Sequence, residues 1–293
     1  MRVAEVATPG PYAGKVVWIT GASSGIGKSL AVAFSRAGAQ LILSARRPEG
    51  LTETARACGA PADLRLLPFD LTDVDAMPAQ ATAALQCFGY VDYMVHNAGV
   101  ALRDRVVNTD LRVDRTIMST NYFGPVALTK ALLPSMLARH SGCFVVMSSL
   151  SGAYGGPLLS AYAASKHALH GFFESLRAEV HADHIQVTIV IPGFIHTAIT
   201  EHALTGSGAA YGKMMRVHAR GMDPDRCAAR ILKAVLRREE EVLVGGLEVY
   251  SVYLKRLLPG ALSALVRHHP VRTLDRVLDR IPFRRAHRGK PHG

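Results

Sequence analysis

A tyrosine and a lysine four residues apart, Tyr162 and Lys166, form the most informative pair of reactive side chains in the sequence. On a helix this spacing places both side chains on one face, so they can point into one site. A free tyrosine has a pKa of about 10, which is too high for efficient proton exchange at neutral pH, and a nearby ammonium favours the phenolate. The pair therefore indicates proton-transfer chemistry. Taken singly, Tyr162 is equally typical of a half-buried helix tyrosine and Lys166 of a solvated lysine.

A glycine-rich loop near the N-terminus indicates what this chemistry uses. The apolar run Val16-Val17-Trp18-Ile19 predicts a strand, the loop Thr20–Gly27 follows it, and a helix continues to Ala37. Glycines let the backbone approach a pyrophosphate, whose charge is met by the N-terminus of the following helix. Such a loop also serves ordinary strand-to-helix turns, so its meaning depends on the motifs further along the chain.

The rest of the chain alternates apolar runs with helical segments. Solid apolar runs separated by helices are typical of a parallel sheet covered on both faces, so we predict an α/β doubly wound fold of the Rossmann type. Residues 12–246 are expected to form one domain, and residues 247–293 a basic, amphipathic C-terminal extension. The predicted strands lie at 16–19, 41–43, 64–69, 91–95, 143–147, 185–191 and 241–244, with helices over 110–138, 161–180 and 224–236.

Composition excludes several classes of protein. With 49% hydrophobic and 19% charged residues among 293, the chain is not mainly disordered or fibrous. The four cysteines lie far apart, so neither a disulfide framework nor a cysteine zinc site is indicated. The net charge of +11 is concentrated in residues 251–293, which hold ten Lys or Arg and two Asp. No signal peptide or membrane span is evident, and a cytoplasmic location, peripheral to a membrane surface at most, is expected.

Five motifs in sequence order resemble those of the short-chain dehydrogenase/reductase family. Thr20–Gly27 reads TGxxxGIG, Asn97-Ala98-Gly99 follows the fourth predicted strand, and Asn121, Ser148-Ser149 and the YxxxK of Tyr162–Lys166 come after it. The resemblance covers about residues 12–246. The segment Tyr253–Gly260 is similar to the C-terminal part of the membrane-associated steroid, retinoid and acyl-lipid reductase branch, which points to lipid metabolism and carbonyl reduction.

The resemblance implies roles for individual residues. Tyr162 would pass a proton to or from the substrate oxygen, Ser149 would hydrogen-bond that oxygen, and Asn121 would hold a water linking Lys166 to solvent. Lys166 would also bind the nicotinamide ribose, with Ile195 and Thr197 against the nicotinamide. The full implied set of cofactor-binding residues is Gly21, Ser23, Ser24, Gly25, Ile26, Gly27, Arg46, Arg47, Asp70, Leu71, Asn97, Ala98, Gly99, Tyr162, Lys166, Pro192, Gly193, Ile195 and Thr197.

The end of the second predicted strand bears on the choice of dinucleotide. An NAD-binding protein of this type places an acid there, whereas a 2′-phosphate needs positive charge. The chain has Arg46 and Arg47 and no acid, so NADP(H) is favoured. Ser24 weakens this interpretation, because many NADP-preferring relatives carry a basic residue there. Asp70 with Leu71 resembles the family's adenine-contacting pair, and a helix cap is the alternative for Asp70.

Histidine positions raise two further questions. His96 stands where the family usually has Asn, which affects local packing more than activity. His167 with His170, and His181 with His184, are each three residues apart. No cysteine or carboxylate set completes a metal site and hydride transfer needs none, so no metal is expected and solvated helix faces are the favoured interpretation.

The segment Phe194–His218 should cover the substrate. It contains Ile199, Ala203, Leu204, Tyr211, Met214 and Met215, and flexible methionines suit an adaptable apolar pocket. Leu150, Tyr154, Leu158 and Leu159 would line the other wall or belong to the core. We therefore expect a hydrophobic ketone, aldehyde or secondary alcohol as substrate.

Partners and alternatives follow from the same features. The extension's apolar face with basic flanks would lie on an anionic membrane surface or against a second subunit. Nucleic-acid binding is not expected, because the tail lacks interleaved aromatics. The resemblance implies a homodimer or homotetramer formed through the two long helices. The alternatives to an NADP(H)-dependent oxidoreductase are an NAD-dependent alcohol dehydrogenase and a non-catalytic NADP(H)-sensing protein.

Overall fold

A computed structural model describes residues 10–59 and 63–267. Seven parallel strands form one sheet in the order β3-β2-β1-β4-β5-β6-β7, so the doubly wound prediction is confirmed. The chain leaves β1 in one direction to β2 and β3, then returns to build β4 to β7 on the other side. This reversal opens a crevice beyond the carboxyl ends of β1 and β4. The strands are Val16–Thr20, Gln40–Ser44, Leu64–Leu66, Tyr93–His96, Gly142–Met147, Ile185–Pro192 and Glu241–Val244.

Helices cover both faces of this sheet and bury two cores. One core lies under α1, α2 and α8 and includes Phe34, Leu43 and Ile231. The other lies under α3, α5 and α6 and includes Trp18 and Phe173. The helices are α1 Gly25–Arg36, α2 Pro48–Cys58, α3 Met77–Phe88, α4 Leu111–Met118, α5 Gly124–Ala138, α6 Ser160–Glu179, α7 Arg216–Ala219, α8 Pro224–Leu236, α9 Ser251–Leu257 and α10 Pro259–Arg267.

Two expected elements are wrong in their extent. The third strand ends at Leu66 and not at Phe69, although the amides of Leu67 and Phe69 still donate to the carbonyls of Leu43 and Ala45. The helix expected over 110–138 is two helices, α4 and α5, joined by a widened π-helical turn at Ser119–Phe123. Pro125 lies at the start of α5 and cannot continue the hydrogen bonding of α4. The widened turn contains Asn121.

The C-terminal extension packs on the domain as far as it is described. Val249 and Val252 are buried in the second core, so the expected boundary at Gly246 does not separate two independent bodies. Pro259 begins α10 and separates it from α9, in agreement with the break expected there. Residues 268–293, which hold most of the predicted basic tail, lie outside the described residues. No helix in the described part of the chain is long and apolar enough to cross a membrane.

Candidate active site

Tyr162 and Lys166 lie on the first turns of α6, beside the carboxyl end of β5, and both are buried. The Lys166 Nζ lies 5.8 Å from the centroid of the Tyr162 ring and donates a hydrogen bond of 2.7 Å to the carbonyl of Met147. The face-sharing expected from their spacing is therefore present. The two side chains meet at the edge where the crevice opens.

Burial dominates the proton affinities of this pair. It raises the pKa of Tyr162, and a hydrogen bond with Ser149 opposes that rise. Burial also lowers the pKa of Lys166 to about 8. The lowering of the Tyr162 pKa expected from the lysine charge is therefore not the main effect on this group, because removing a phenolate from water costs more. Ser149 is the group that favours the ionised phenol.

Ser149 has two functions in the structure. It is the N-cap of a short 3₁₀ turn, Leu150–Gly152, and its hydroxyl accepts a hydrogen bond of 3.1 Å from the Ser151 amide. The same hydroxyl interacts with Tyr162. The cap and the catalytic interpretation are thus compatible, because the cap fixes the hydroxyl in place beside the phenol.

Asn121 is anchored in the π-helical turn by its side-chain amide. The amide donates to the Val100 carbonyl and to Ser165 Oγ, each at 2.9 Å, and its oxygen accepts from the Val100 amide at 2.8 Å. Both donors are therefore used, and a water held by the side chain would have to donate to Oδ1. A Cβ at Gly99 would lie 3.3 Å from this oxygen and 3.5 Å from Lys166 Nζ, so the two groups face one small space.

The glycine loop has the geometry that a pyrophosphate needs. Gly21 and Gly25 have φ values of 66° and 53°, which side chains other than glycine rarely adopt. A Cβ at Gly27 would overlap the carbonyl oxygen of Gly21. Ser24 is the N-cap of α1, its hydroxyl makes no capping bond, and the first turn carries no acid. These observations fit an anion at the start of α1.

Neighbouring segments fix this loop from both sides. The Asn97 amide donates to the carbonyls of Thr20 at 3.0 Å and Gly21 at 3.2 Å. On the other side of the loop lies Thr197, whose Cγ2 would be 3.1 Å from a Cβ placed at Gly25. Ala98 and Thr197 thus border the loop, and their contact with a cofactor stays a prediction. Ile195 is buried in the first core, where it pairs with Met222 in an isolated bridge.

The two arginines after β2 are free to meet a ligand. Arg46 and Arg47 are exposed, and the Arg46 guanidinium lies 4.0 Å from the Asp70 carboxylate. Asp70 Oδ1 accepts hydrogen bonds from the amide and hydroxyl of Thr72, each at 2.9 Å, which forms a local turn. The helix cap given as the alternative for Asp70 is wrong, because Asp73 is the residue that precedes the next helical turn, Val74–Ala76. Leu71 is buried in the second core.

A third apolar cluster joins Tyr162 to the segment over the crevice. Its buried members include Leu102, Ile117, Ala161 and Tyr162 together with Ala203 of the lid. Partly buried side chains packed on this cluster are Val100, Leu159, Ile199, Leu204 and Tyr211. The segment Phe194–His218 and α6 therefore meet through apolar contacts, and the covering of a substrate by this segment stays a prediction.

Two of the four residues expected on the opposite wall or in the core belong to the core. Leu150 is buried in the second core, and the ring of Tyr154 packs against the same core. The Tyr154 hydroxyl lies 2.9 Å from Ser251 Oγ on α9. These side chains point toward the extension, because its packing supplies apolar contacts and a hydrogen-bond partner there.

Two histidines have environments that bear on the expectations. His96 is buried, its Nε2 lies 2.8 Å from Thr129 Oγ1, and its ring stacks on Phe144. Burial lowers its pKa to about 3, so it is a neutral core side chain. The solvated position expected for His170 is wrong: it is half-buried, its Nε2 lies 2.7 Å from Ser148 Oγ and its Nδ1 lies 3.5 Å from Glu174.

Glu248 is a residue of the site region that the sequence did not reveal. Its Oε1 accepts hydrogen bonds from the amides of Phe194 at 3.0 Å and Gly246 at 2.9 Å. It therefore ties the extension to the segment directly after β6. The only available signal was that Glu248 is the single acid between Leu247 and Arg267.

Comparison with known proteins agrees with this geometry. The family model described as short chain dehydrogenase matches residues 15–207. The chain belongs to the short-chain dehydrogenase/reductase family. The dehydrogenase/reductase SDR family member 7B of Bos taurus is 44% identical over 259 residues, which is 86% of this chain and 80% of that protein. The family is one of oxidoreductases.

Solved structures share the fold. A short-chain dehydrogenase/reductase from Burkholderia phymatum in complex with NAD has a TM-score of 0.75 at 23% identity, covering 84% of this chain and 94% of that one. A metagenomic short-chain oxidoreductase in complex with NADP has a TM-score of 0.66 at 28% identity, covering 80% and 97%. Structural neighbours thus bind NAD or NADP.

Proposed function

We propose that the protein is an NADP(H)-dependent oxidoreductase that interconverts a hydrophobic ketone or aldehyde and its alcohol. The observation that carries this proposal is the position of Tyr162. Its ring is a member of the apolar cluster shared with the lid, and its hydroxyl interacts with Ser149 near Lys166. One polar edge inside an apolar enclosure suits a carbonyl oxygen on an apolar molecule.

Each residue of the site has a separate role in the proposed reaction. When bound, the dinucleotide supplies or accepts the hydride at the substrate carbon. Tyr162 donates its hydroxyl proton to the substrate oxygen in the reductive direction and takes it back in the oxidative direction. Ser149 hydrogen-bonds the oxygen as negative charge develops. Lys166 passes a proton between Tyr162 and the space that it shares with Asn121, toward Tyr162 in reduction and away from it in oxidation, and its ammonium offsets the phenolate charge.

Consumption of NADPH by the purified chain tests this proposal. The panel contains steroid, retinal and long-chain ketoacyl carbonyls, with small polar ketones for comparison. We expect turnover of at least one apolar class and a loss of at least about 100-fold in kcat for Tyr162→Phe, with NADPH affinity retained. Turnover confined to small polar ketones would contradict the substrate class. NADPH binding without turnover of any carbonyl would favour the sensing alternative.

Cofactor preference rests on the exposed arginines after β2. A guanidinium binds a 2′-phosphate strongly, and no acid stands there to accept the hydroxyl of NAD. Arg46→Asp should raise the Kd for NADPH by at least about tenfold and improve NADH binding, with Arg65→Asp as a control on the neighbouring strand. An unchanged preference, or an initial preference for NADH, would favour the NAD-dependent alternative.

We also propose that the extension touches an anionic membrane surface. Leu247, Tyr250, Leu257 and Leu258 are 74%, 61%, 78% and 59% exposed, and Lys255 and Arg256 lie among them. Flotation with vesicles of phosphatidylcholine and phosphatidylserine should depend on this patch. Leu257→Glu should reduce flotation, whereas Leu236→Glu on α8 should not. Equal flotation of the wild type, Leu257→Glu and Leu236→Glu would contradict the proposal.

Self-association is proposed through the α4, α5 and α6 layer. Leu111 and Phe123 are 60% and 48% exposed on this side of the molecule. We expect a dimer or tetramer by light scattering after gel filtration. Phe123→Asp should weaken it, and Val107→Asp, at a position that is 79% exposed, serves as the control. A monomeric wild-type chain at micromolar concentration would exclude this assembly.

A further inference from the structure

Arg103 carries a positive charge that the described residues leave without a partner. Its backbone amide donates to the Leu204 carbonyl at 2.8 Å, which fixes the residue against the lid. The side chain is half-buried, and its Nε is fully buried without a hydrogen bond. Within residues 10–59 and 63–267 its guanidinium forms no ion pair. Burying part of an arginine is costly unless something accepts its hydrogen bonds.

The nearest acid in sequence is not available to this arginine. The Asp104 carboxylate accepts the amides of Arg105 at 2.8 Å and Gly206 at 2.9 Å and the side chain of Asn108 at 3.1 Å. These hydrogen bonds lower its pKa. Asp104 therefore serves to connect the loop after β4 to the lid.

His218 faces the same place from the lid helix α7. Its ring packs edge-on to Phe194 with centroids 5.4 Å apart, and its Nδ1 is buried without a hydrogen bond. Burial and the charge of Arg103 lower its pKa to about 4, so the imidazole is neutral at pH 7. A neutral imidazole can donate one N–H to a ligand. The loop and the lid thus each contribute an unused donor.

Arg103 is linked to the apolar cluster around Tyr162 through the residue that precedes it. Leu102, directly before Arg103, packs in the cluster that contains Tyr162. Phe194 follows Gly193 at the carboxyl end of β6, the edge of the sheet where the site opens. The lid is also basic, since residues 194–222 contain three Lys or Arg and a single acid, Glu201. Positive charge thus comes from the lid as well as from Arg103.

We propose that Arg103, assisted by His218, binds an anionic oxygen group, a carboxylate or a phosphate monoester, at one end of the apolar substrate. The inference rests on the proposed function, because it assigns a substrate class to that same site. A planar guanidinium presents two parallel N–H groups to such an anion, and the neutral imidazole adds a third donor. The apolar cluster around Tyr162 would receive the uncharged part of the molecule.

Calorimetric titration of the NADPH-loaded full chain tests the assignment without requiring turnover. The probes are octyl phosphate, octanoate and octanol, which share one chain and differ in charge. We expect at least one anion to bind tenfold or more tightly than octanol. Arg103→Gln should weaken that anion by about 10-fold to 100-fold and leave octanol unchanged. Arg105→Gln, an exposed arginine two residues away, should bind all three as the wild type does.

Further variants separate recognition from folding. Arg103→Lys keeps the positive charge but loses the two parallel N–H groups of the guanidinium, so its affinity for the anion should fall between those of the wild type and Arg103→Gln. His218→Asn should lose less than Arg103→Gln. Binding of octyl phosphate alone assigns a phosphate, and binding of octanoate alone assigns a carboxylate. Equal affinity of the wild type for all three probes, or equal weakening of all three by Arg103→Gln and Arg103→Lys, would overturn the assignment.

Turnover distinguishes this inference from the function on which it rests. Tyr162-dependent reduction of neutral ketones with no anion preference would overturn the role of Arg103 and leave the oxidoreductase proposal standing. Arg103-dependent anion binding with no NADPH consumption on any carbonyl would overturn the oxidoreductase proposal and leave the role of Arg103 in anion binding standing. Reduction of a long-chain keto phosphate or keto acid, with a raised KM and unchanged kcat in Arg103→Gln, would support both.

Discussion

Replacing Lys166 with methionine should make the chain more stable and leave it inactive. The side chain is buried, and its pKa of about 8 lies well below the ordinary 10.5. This lowering corresponds to about 3 kcal/mol of unfavourable free energy for the charged form at neutral pH. Methionine removes that cost but leaves the Met147 carbonyl without its donor, a loss of about 1 to 2 kcal/mol. The expected net gain at pH 7 is about 1 to 2 kcal/mol.

The difference between the two proteins should depend on pH in a defined direction. Below pH 8 the lysine is protonated in both the folded and the unfolded chain, so the full cost is present. Between pH 8 and 10.5 the folded protein has released the proton and the unfolded chain has not, so the wild type gains about 1.4 kcal/mol per pH unit relative to the variant. Above pH 10.5 only the lost hydrogen bond remains, and the variant should be the less stable protein.

Urea unfolding at a series of pH values from 6 to 11 measures this difference. The cysteines, and the tyrosines other than Tyr162, that titrate in the same range are common to both proteins, so their contributions cancel. NADPH consumption measured in parallel should be lost in the variant. A variant that is less stable than the wild type at pH 7, or a difference that does not change with pH, would refute the reasoning that burial of the ammonium is unfavourable.

Three further changes have expected outcomes. Gly27→Ala should abolish dinucleotide binding measured by fluorescence titration, because the new Cβ overlaps the loop carbonyl, whereas Gly155→Ala should bind normally since nothing lies within 4 Å of its Cβ. In the wild type the buried His96 imidazole is protonated only near pH 3, so this residue lowers the stability of the folded chain as the pH falls from 6.5 to about 3. His96→Leu should remove this loss, which amounts to up to about 1.4 kcal/mol per pH unit. Acid unfolding curves that coincide for the two proteins would contradict this. Glu248→Gln should lower the free energy of unfolding by about 1 to 3 kcal/mol, because it removes the negative charge of the oxygen that accepts a hydrogen bond from the Phe194 amide. An unchanged Tm in thermal unfolding would show that the contact contributes little.

Periodicity and strand-ending motifs were sufficient to predict the doubly wound sheet, because each buried strand reads as a solid apolar run. The limits of elements were harder to predict. The π-helical turn at Ser119–Phe123 depends on how Asn121 bonds to Val100, a contact between segments twenty-one residues apart. Apolar periodicity alone continues through this turn, so it suggested one helix.

The candidate site was likewise predictable from the sequence only in part. Spacing brought Tyr162 and Lys166 together, since a helix fixes that geometry locally. It could not show that burial would raise the tyrosine pKa, because the surrounding cluster comes from the lid and the loop after β4. Nor could spacing separate Leu150 and Tyr154 from the pocket wall, since the extension that covers them lies about a hundred residues further on.

The contact between Glu248 and the Phe194 amide defines how much chain must be kept together. The family match ends at residue 207, yet the backbone after β6 is held by a carboxylate far beyond it. Val249 and Val252 then complete the packing under the sheet. A chimera that exchanged the lid while cutting at the last strand would leave that amide without its acceptor. Tyr12, which is buried in the first core and donates to the Leu232 carbonyl, belongs to the same unit. The smallest transferable unit therefore runs from Tyr12 through Val252, and recombination within this span has to preserve both ends.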